Sequence, residues 1–177
     1  KAHGLPTGVP LIGTSGRLEP VKGHCYLIQA LALMPSEVHL AIAGSGSQEI
    51  ELRKLTRTLG VEERVHFLGH VDTMSQFYRA LDLFCLPSLN EGFPLATLEA
   101  QACSVVTAAS DVGGVKETLC PHNGILLRPG DPKAIAAALL QAISRQPTED
   151  PRHFVVATAD LEKTRTAYQA LACQGVN

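Results

Sequence analysis

The stretch Pro87-Ser88-Leu89-Asn90-Glu91-Gly92-Phe93-Pro94-Leu95-Ala96-Thr97-Leu98-Glu99 begins as a loop and ends as a helix. The apolar run before it, residues 83–86, reads as a short buried strand. Pro94 suits the first turn of a helix, where a missing amide proton costs nothing. Glu91 therefore falls in a Gly/Pro loop and Glu99 inside the helix that follows, so that two carboxylates converge on one crevice. The first amides of a helix lack intrahelical partners and carry the positive end of its dipole, which favours anions there. Carboxylates that touched a phosphate would repel it, so the expected partners of Glu91 and Glu99 are hydroxyls, which donate to ionised acceptors. A ligand with phosphates in the middle and sugars at both ends fits this arrangement.

Working outward, short apolar runs alternate with helical patterns. Strands are expected over 11–15, 38–43, 65–68, 83–86, 105–109 and 124–127, and helices near 23–33, 48–59, 74–80, 95–102, 132–145 and 160–172. Such alternation predicts an α/β, Rossmann-like open parallel sheet with helices on both faces. Thr73 with Gln76 has the pattern of a capping box, Asp131-Pro132 that of an N-cap and first-turn proline, and Gly60 that of a C-terminal glycine. The polar segment 146–152, with two prolines, reads as a surface connection before the last helix. Gly- and Ser-rich loops follow the first four strands, and ligands of open α/β sheets bind beyond the carboxyl ends of the strands.

Composition narrows the function. The chain has 177 residues, 45% of them hydrophobic, which is the size of one domain, and no apolar run is long enough to cross a membrane. Lys and Arg total 15 against 17 Asp and Glu, so there is no global positive field; a nucleic-acid partner is not expected, and affinity for phosphate must be local. The five cysteines (Cys25, Cys85, Cys103, Cys120 and Cys173) are odd in number and form no C-x-x-C pair, which argues against a disulfide framework or a zinc knuckle and for a reducing, cytoplasmic setting. Cys103, at a small-residue helix end, is expected to pack in the core. No signal-peptide pattern opens the chain, although a processed product would read the same.

The residues Pro87, Ser88, Glu91, Gly92, Phe93, Pro94 and Glu99 resemble the Glu-x7-Glu signature of the group 1, or GT4-type, glycosyltransferases. Gly16-Arg17-Leu18, Lys22-Gly23-His24, Ala43-Gly44-Ser45-Gly46, Phe67-Leu68-Gly69, Asp111-Val112-Gly113-Gly114, Asn123-Gly124 and Pro129-Gly130-Asp131-Pro132 follow the family's order and approximate spacing, from about residue 9 to 172. The resemblance implies the carboxyl-terminal, donor-binding half of a retaining, two-domain GT-B enzyme that takes a nucleoside diphosphate sugar as donor. It implies that Glu91 contacts the transferred sugar, that Glu99 contacts the ribose, and that Arg17 and Lys22 neutralise the diphosphate without a metal or other cofactor. Fixed cations aimed at a leaving diphosphate lower the barrier to its departure. Gly16, Gly44, Leu68, Gly69, Gly92, Phe93, Pro94 and Leu95 complete the expected binding set, with backbone near Leu68 and Gly69 meeting the base; Pro94 has no amide proton to give. On this reading residues 1–177 form a single donor domain, with 146–177 as connection and C-terminal helix. The acceptor domain would precede Lys1, and transfer by the donor half alone is not expected because proximity of both reactants supplies much of the rate. A longer protein could meet the cytosolic face of a membrane.

The chain departs from the family pattern after Cys103, where Ser104-Val105-Val106 replaces Gly-x-Pro. A left-handed turn is harder to form there without glycine. Gln101 replaces a frequent methionine. Quieter readings stand beside the functional ones: Glu99 as a solvent-facing helix residue, Glu91 as a helix cap, and Arg17 and Lys22 as surface charges. His24 is expected either to reach a phosphate or to face solvent. Gly44-Ser45-Gly46 lacks the third glycine of a dinucleotide fingerprint, and His66 and His70 do not share a face on a strand running into a loop, which makes them poor metal ligands. A nucleotide-sugar 2-epimerase and a non-catalytic nucleotide-sugar binding module or subunit remain as alternatives.

Overall fold

The computed structural model describes residues 4–145 and 147–159. Six strands, β1 (Leu11–Ser15), β2 (His39–Ala43), β3 (Val65–Gly69), β4 (Leu83–Leu86), β5 (Thr107–Ser110) and β6 (Ile125–Leu127), form one sheet in the order β3-β2-β1-β4-β5-β6, and every pairing is parallel. The chain winds outward from β1 in one direction and, after returning to β4, in the other. The helices are α1 (His24–Ala32), α2 (Glu49–Thr58), α3 (Met74–Arg79), α4 (Leu95–Ala102), α5 (Pro132–Ser144) and α6 (Pro151–Thr158). The α/β expectation holds, and most boundaries agree within two residues.

Each face of the sheet has its own core, because side chains alternate along a strand. Ile12, Leu40, Ile42, Leu83 and Cys85 pack beneath α1, α2 and α5 with Leu27, Leu31, Leu52, Ile135 and Leu139. Leu11, Ala41, Phe84 and Leu86 pack on the other face with Phe77, Tyr78 and Ala100 of α3 and α4. All five residues of β1 and all four of β4 are buried, as expected for central parallel strands covered on both sides.

Local signals were met unevenly. The Asp131 carboxylate accepts from Ala134 N and caps α5, and Gly60 ends α2 with φ +66°. The capping box at Thr73 does not form: its backbone, at ψ 76°, stops short of the extended conformation that swings a hydroxyl over the helix amides, and only its carbonyl is used. Residues 146–152 are not simply a connection, because α6 begins at Pro151, with Asp150 accepting from Arg152 N at 2.9 Å. This is the same Asp-Pro start as in α5. The expected helix over 160–172 lies outside the described residues, as does Cys173.

The turn after α4 forms without its glycine. Ser104 itself takes the left-handed conformation, φ 64°, the one non-glycine to do so among the described residues. Its amide donates to Gln101 O at 2.9 Å and Val105 N donates to Ala100 O at 3.1 Å, closing the helix; Val105 is thereby spent, and β5 starts at Thr107 rather than 105. Gln101, where methionine is frequent, is a fully buried polar bridge. Its Nε2 donates to Thr97 O (2.8 Å) and Thr118 O (2.7 Å), and its Oε1 accepts from Cys120 N (2.7 Å), tying α4 to the segment after β5.

His24, the first residue of α1, neither reaches for phosphate nor faces solvent. It is 3% exposed, its Nε2 donates to Arg17 O at 3.3 Å, and its Nδ1 is buried without a partner. Burial pushes its pKa down to about 4, with the Lys22 charge adding to the shift and the Arg17 carbonyl opposing it.

Two outcomes are expected. Replacing Ser104 by Gly removes a left-handed cost of about 1 kcal/mol and outweighs the loss of the exposed Oγ bond to Asp150, raising Tm by roughly 2–5 °C in a thermal melt. For His24, the unfolded state takes up a proton below pH 6.5 that the folded state refuses until about pH 4, so stability falls through that window by about 3 kcal/mol and is unaffected above it. Denaturant titrations from pH 7 to 4 should show His24→Leu losing about one proton's worth of that slope.

Candidate functional site

The reversal of winding leaves the carboxyl ends of β1 and β4 adjacent while their loops run to opposite faces, and this switch point is where open sheets take ligands. Beyond β1 come Gly16 and the exposed Arg17, then a 3-10 turn (Pro20–Lys22), then Gly23 with φ +66°. A side chain at Gly23 would overlap the Pro87 carbonyl, so the loops after β1 and β4 touch there. Leu89 N donates to Val21 O at 2.8 Å and locks that contact.

This contact brings Lys22 to Glu91. Lys22 Nζ donates to Glu91 Oε1 at 2.7 Å, and Ser88, fully buried, donates its hydroxyl to the same oxygen at 2.6 Å. Glu91 therefore does not cap α4, whose first turn has no side-chain cap. On the far side, residues 111–114 buttress the loop: Gly114 N donates to Gly92 O at 3.0 Å, and Gly113, at φ +50°, leaves room for the Glu91 carbonyl that any side chain would occupy. Oε2 of Glu91 has no protein partner among the described residues.

Glu99, one and a half turns into α4, is anchored differently. Its Oε2 accepts from Tyr78 Oη at 2.9 Å, and Tyr78 meets Ser15 Oγ at 3.2 Å. Oε1 is left without a protein partner among the described residues. Both carboxylates thus commit one oxygen to the protein and leave the other open. The Arg17 side chain makes no hydrogen bond or close ion pair among the described residues, and its charge acts on Glu19 of the same turn.

These groups wall one crevice of about 610 Å³, lined by Ser15, Gly16, Arg17, Lys22, Gly44 and Ser45 on one side and by Glu91, Phe93, Pro94, Leu95, Ala96 and Glu99 on the other. Of the expected residues, Leu68, Gly69 and Gly92 lie outside its wall. Gly69 spends its carbonyl on Gly44 N at 2.7 Å, Leu68 packs toward the core, and Gly92 spends its carbonyl on Gly114. The end near β3 is formed instead by His70, Val71 and Met74. Sequence reasoning also left Tyr78, Ser88 and Ser15 without a role; Ser88 was legible only as a motif residue, and nothing local marked Tyr78. His66 bonds to His39 across the sheet, Nε2 to Nδ1 at 3.0 Å, while His70 pairs loosely with Asp72 at 3.3 Å. No group of three His, Cys, Asp or Glu among the described residues is placed to hold a metal ion, and no helix among them is long and apolar enough to cross a membrane.

The crevice chemistry is two cations and two half-committed carboxylates beside free helix amides, an arrangement able to hold an anionic centre flanked by hydroxyls. Comparison with known proteins places it in context. The D-inositol 3-phosphate glycosyltransferase of Xylanimonas cellulosilytica is 38% identical over 143 residues, which cover 77% of this chain and 34% of that protein. The chain thus spans about one third of the length of such curated relatives. Anabaena HepE in complex with UDP superposes with a TM-score of 0.87 at 28% identity over 93% of this chain and 49% of HepE, and HepE has also been solved with UDP-glucose. The C-terminal domain of a group 1 family glycosyl transferase from Francisella tularensis shares the fold, with a TM-score of 0.77 at 24% identity over 86% of this chain and 89% of that domain. The family profile for glycosyl transferases group 1 matches residues 1–159, and the chain belongs to that family.

Proposed function

We propose that this chain is the donor-binding half of a retaining glycosyltransferase, which moves a sugar from a nucleoside diphosphate sugar to an acceptor held by a separate domain. One observation carries the reading: Arg17 and Lys22 from the turn after β1 meet Glu91 and Glu99 from beyond β4 across a single crevice at the switch point. Arg17 and Lys22 take the diphosphate. Lys22 has three N–H donors and spends one on Glu91, so it holds that carboxylate and a phosphate oxygen together. Oε2 of Glu91 accepts from a hydroxyl of the transferred sugar, and Oε1 of Glu99 from the ribose. The base lies toward His70 and Val71.

As the bond between the anomeric carbon and the diphosphate oxygen breaks, negative charge grows on the departing group, and the two cations, Lys22 held by Glu91 and Arg17 exposed beside it, stabilise it without a metal. The free amides at the start of α4 add to the same field. Relatives named as glycosyltransferases, and a structural neighbour solved with UDP and UDP-glucose, support the transferase reading over an epimerase or a binding module without catalysis.

Calorimetry with UDP, GDP, ADP and their glucose and mannose conjugates tests it. One nucleotide series binds, and Arg17→Ala or Lys22→Ala weakens it about 10- to 100-fold, the value of a charge-assisted contact. Glu91→Gln leaves the bare nucleoside diphosphate within about twofold and removes the extra affinity of the sugar conjugate. Absence of binding throughout the panel at millimolar concentrations would refute the assignment.

A further inference from the structure

A glutamate on an exposed helix face is free to sample several rotamers, and ordering it on a ligand costs on the order of 1–2 kcal/mol. Glu99 is exposed by position but not free. Tyr78, in the last turn of α3, lies under it with its ring buried at 2% exposure, edge-on to Phe84 (centroids 5.4 Å apart, 84° between planes) and tilted against Phe77 (5.6 Å). The hydroxyl emerges at the crevice wall between Ser15 and Glu99.

The direction of these bonds follows from chemistry. An ionised carboxylate only accepts, so Tyr78 donates to Glu99 Oε2 at 2.9 Å; its one proton is then spent, and Ser15 Oγ donates to Tyr78 Oη at 3.2 Å. Each bond in such a chain polarises the next. Burial raises the phenol's pKa above its usual value, with the Glu99 charge in support and the Ser15 bond opposing, so Tyr78 is a donor at neutral pH. The chain begins on the central strand β1, whose neighbours fix Ser15, and ends on the carboxylate.

Resting on the reading of Glu99 as the ribose acceptor, we infer that Tyr78 is its positioning residue: the buried hydroxyl holds Oε2 so that Oε1 is presented to the ribose before the nucleotide arrives. On this inference Tyr78 acts through Glu99, although its hydroxyl also lies at the crevice wall. Ser15 sets the hydroxyl in turn, which joins ribose recognition on α4 to the strand whose next turn carries Arg17. A purely structural clamp between α3 and α4 would use the same bond, and the two roles differ in what the ligand reports.

The test is calorimetry of the whole chain with UDP and with 2′,3′-dideoxy-UDP, alongside thermal melts. Tyr78→Phe keeps the ring packing and should weaken UDP about fivefold while leaving the dideoxy analogue within about twofold. Glu99→Ala should also weaken UDP selectively, and the double variant should bind UDP no more weakly than Glu99→Ala alone. Equal weakening of both ligands by Tyr78→Phe, or no change in either while Glu99→Ala still discriminates, overturns the positioning role and leaves the ribose reading intact. If Glu99→Ala itself treats the two ligands alike, the ribose reading fails and the inference with it. Should Tyr78→Phe not fold, Ser15→Ala is read by the same ratio: a smaller selective loss of UDP sustains the role, and none overturns it.

Discussion

Parallel pairing of β1 with β4 at the centre of the sheet is the constraint on which the rest depends. The pairing is short, Ile12 with Leu83 and Gly13 with Phe84, yet it joins the two halves of the winding. Right-handed crossovers carry α1 and α2 to one face and α3 and α4 to the other, so the loops leaving β1 and β4 must separate. The space between them is the crevice. Shifting β1 by one residue would turn Ser15, now toward Tyr78, to the opposite face and break the chain of bonds that ends on Glu99.

Within the crevice, opposite charges are held apart or shared rather than cancelled. Lys22 and Glu91 form a direct ion pair at its wall, with side chains 22% and 10% exposed, where screening is weaker than on an open surface. Leaving a buried carboxylate uncompensated costs more than the pair gains, so Ser88 beneath Glu91 shares the load. Arg17 remains exposed, with the Glu19 charge nearby and, among the described residues, no hydrogen bond from its side chain. In the proposed function this asymmetry has a use: one cation is fixed in place and the other is free to follow the phosphates.

The supporting shell is built from small departures that the surroundings repair. Ser104 accepts a left-handed turn, because the helix end needs one and its hydroxyl finds Asp150. Gln101 brings a polar amide into the core, and three hydrogen bonds satisfy it, fastening the helix that carries Glu99 to the segment that follows the Gly113-Gly114 buttress. His24 gives up a proton to lie under the Arg17 turn, and its burial leaves Nδ1 unpartnered. Each is invisible as local propensity and intelligible as packing.

By itself the sequence determined the α/β class, because strand and helix periods leave their marks within a few residues. The same is true of the turn chemistry at Gly60 and Asp131, and of the loop placing Glu91 near a helix carrying Glu99. It carried the start of α6 as well, in the Asp150-Pro151 pair, a signal identical to one read correctly at Asp131-Pro132. What only the tertiary structure decided was long range: strand order, and with it the switch point; the meeting of Lys22 with Glu91 across 69 positions; and the Tyr78 hydroxyl under Glu99, 21 positions away. Propensity and capping depend on neighbours in the chain. Hydrogen-bond partners far apart in sequence depend on which strands lie side by side, and no local pattern encodes that.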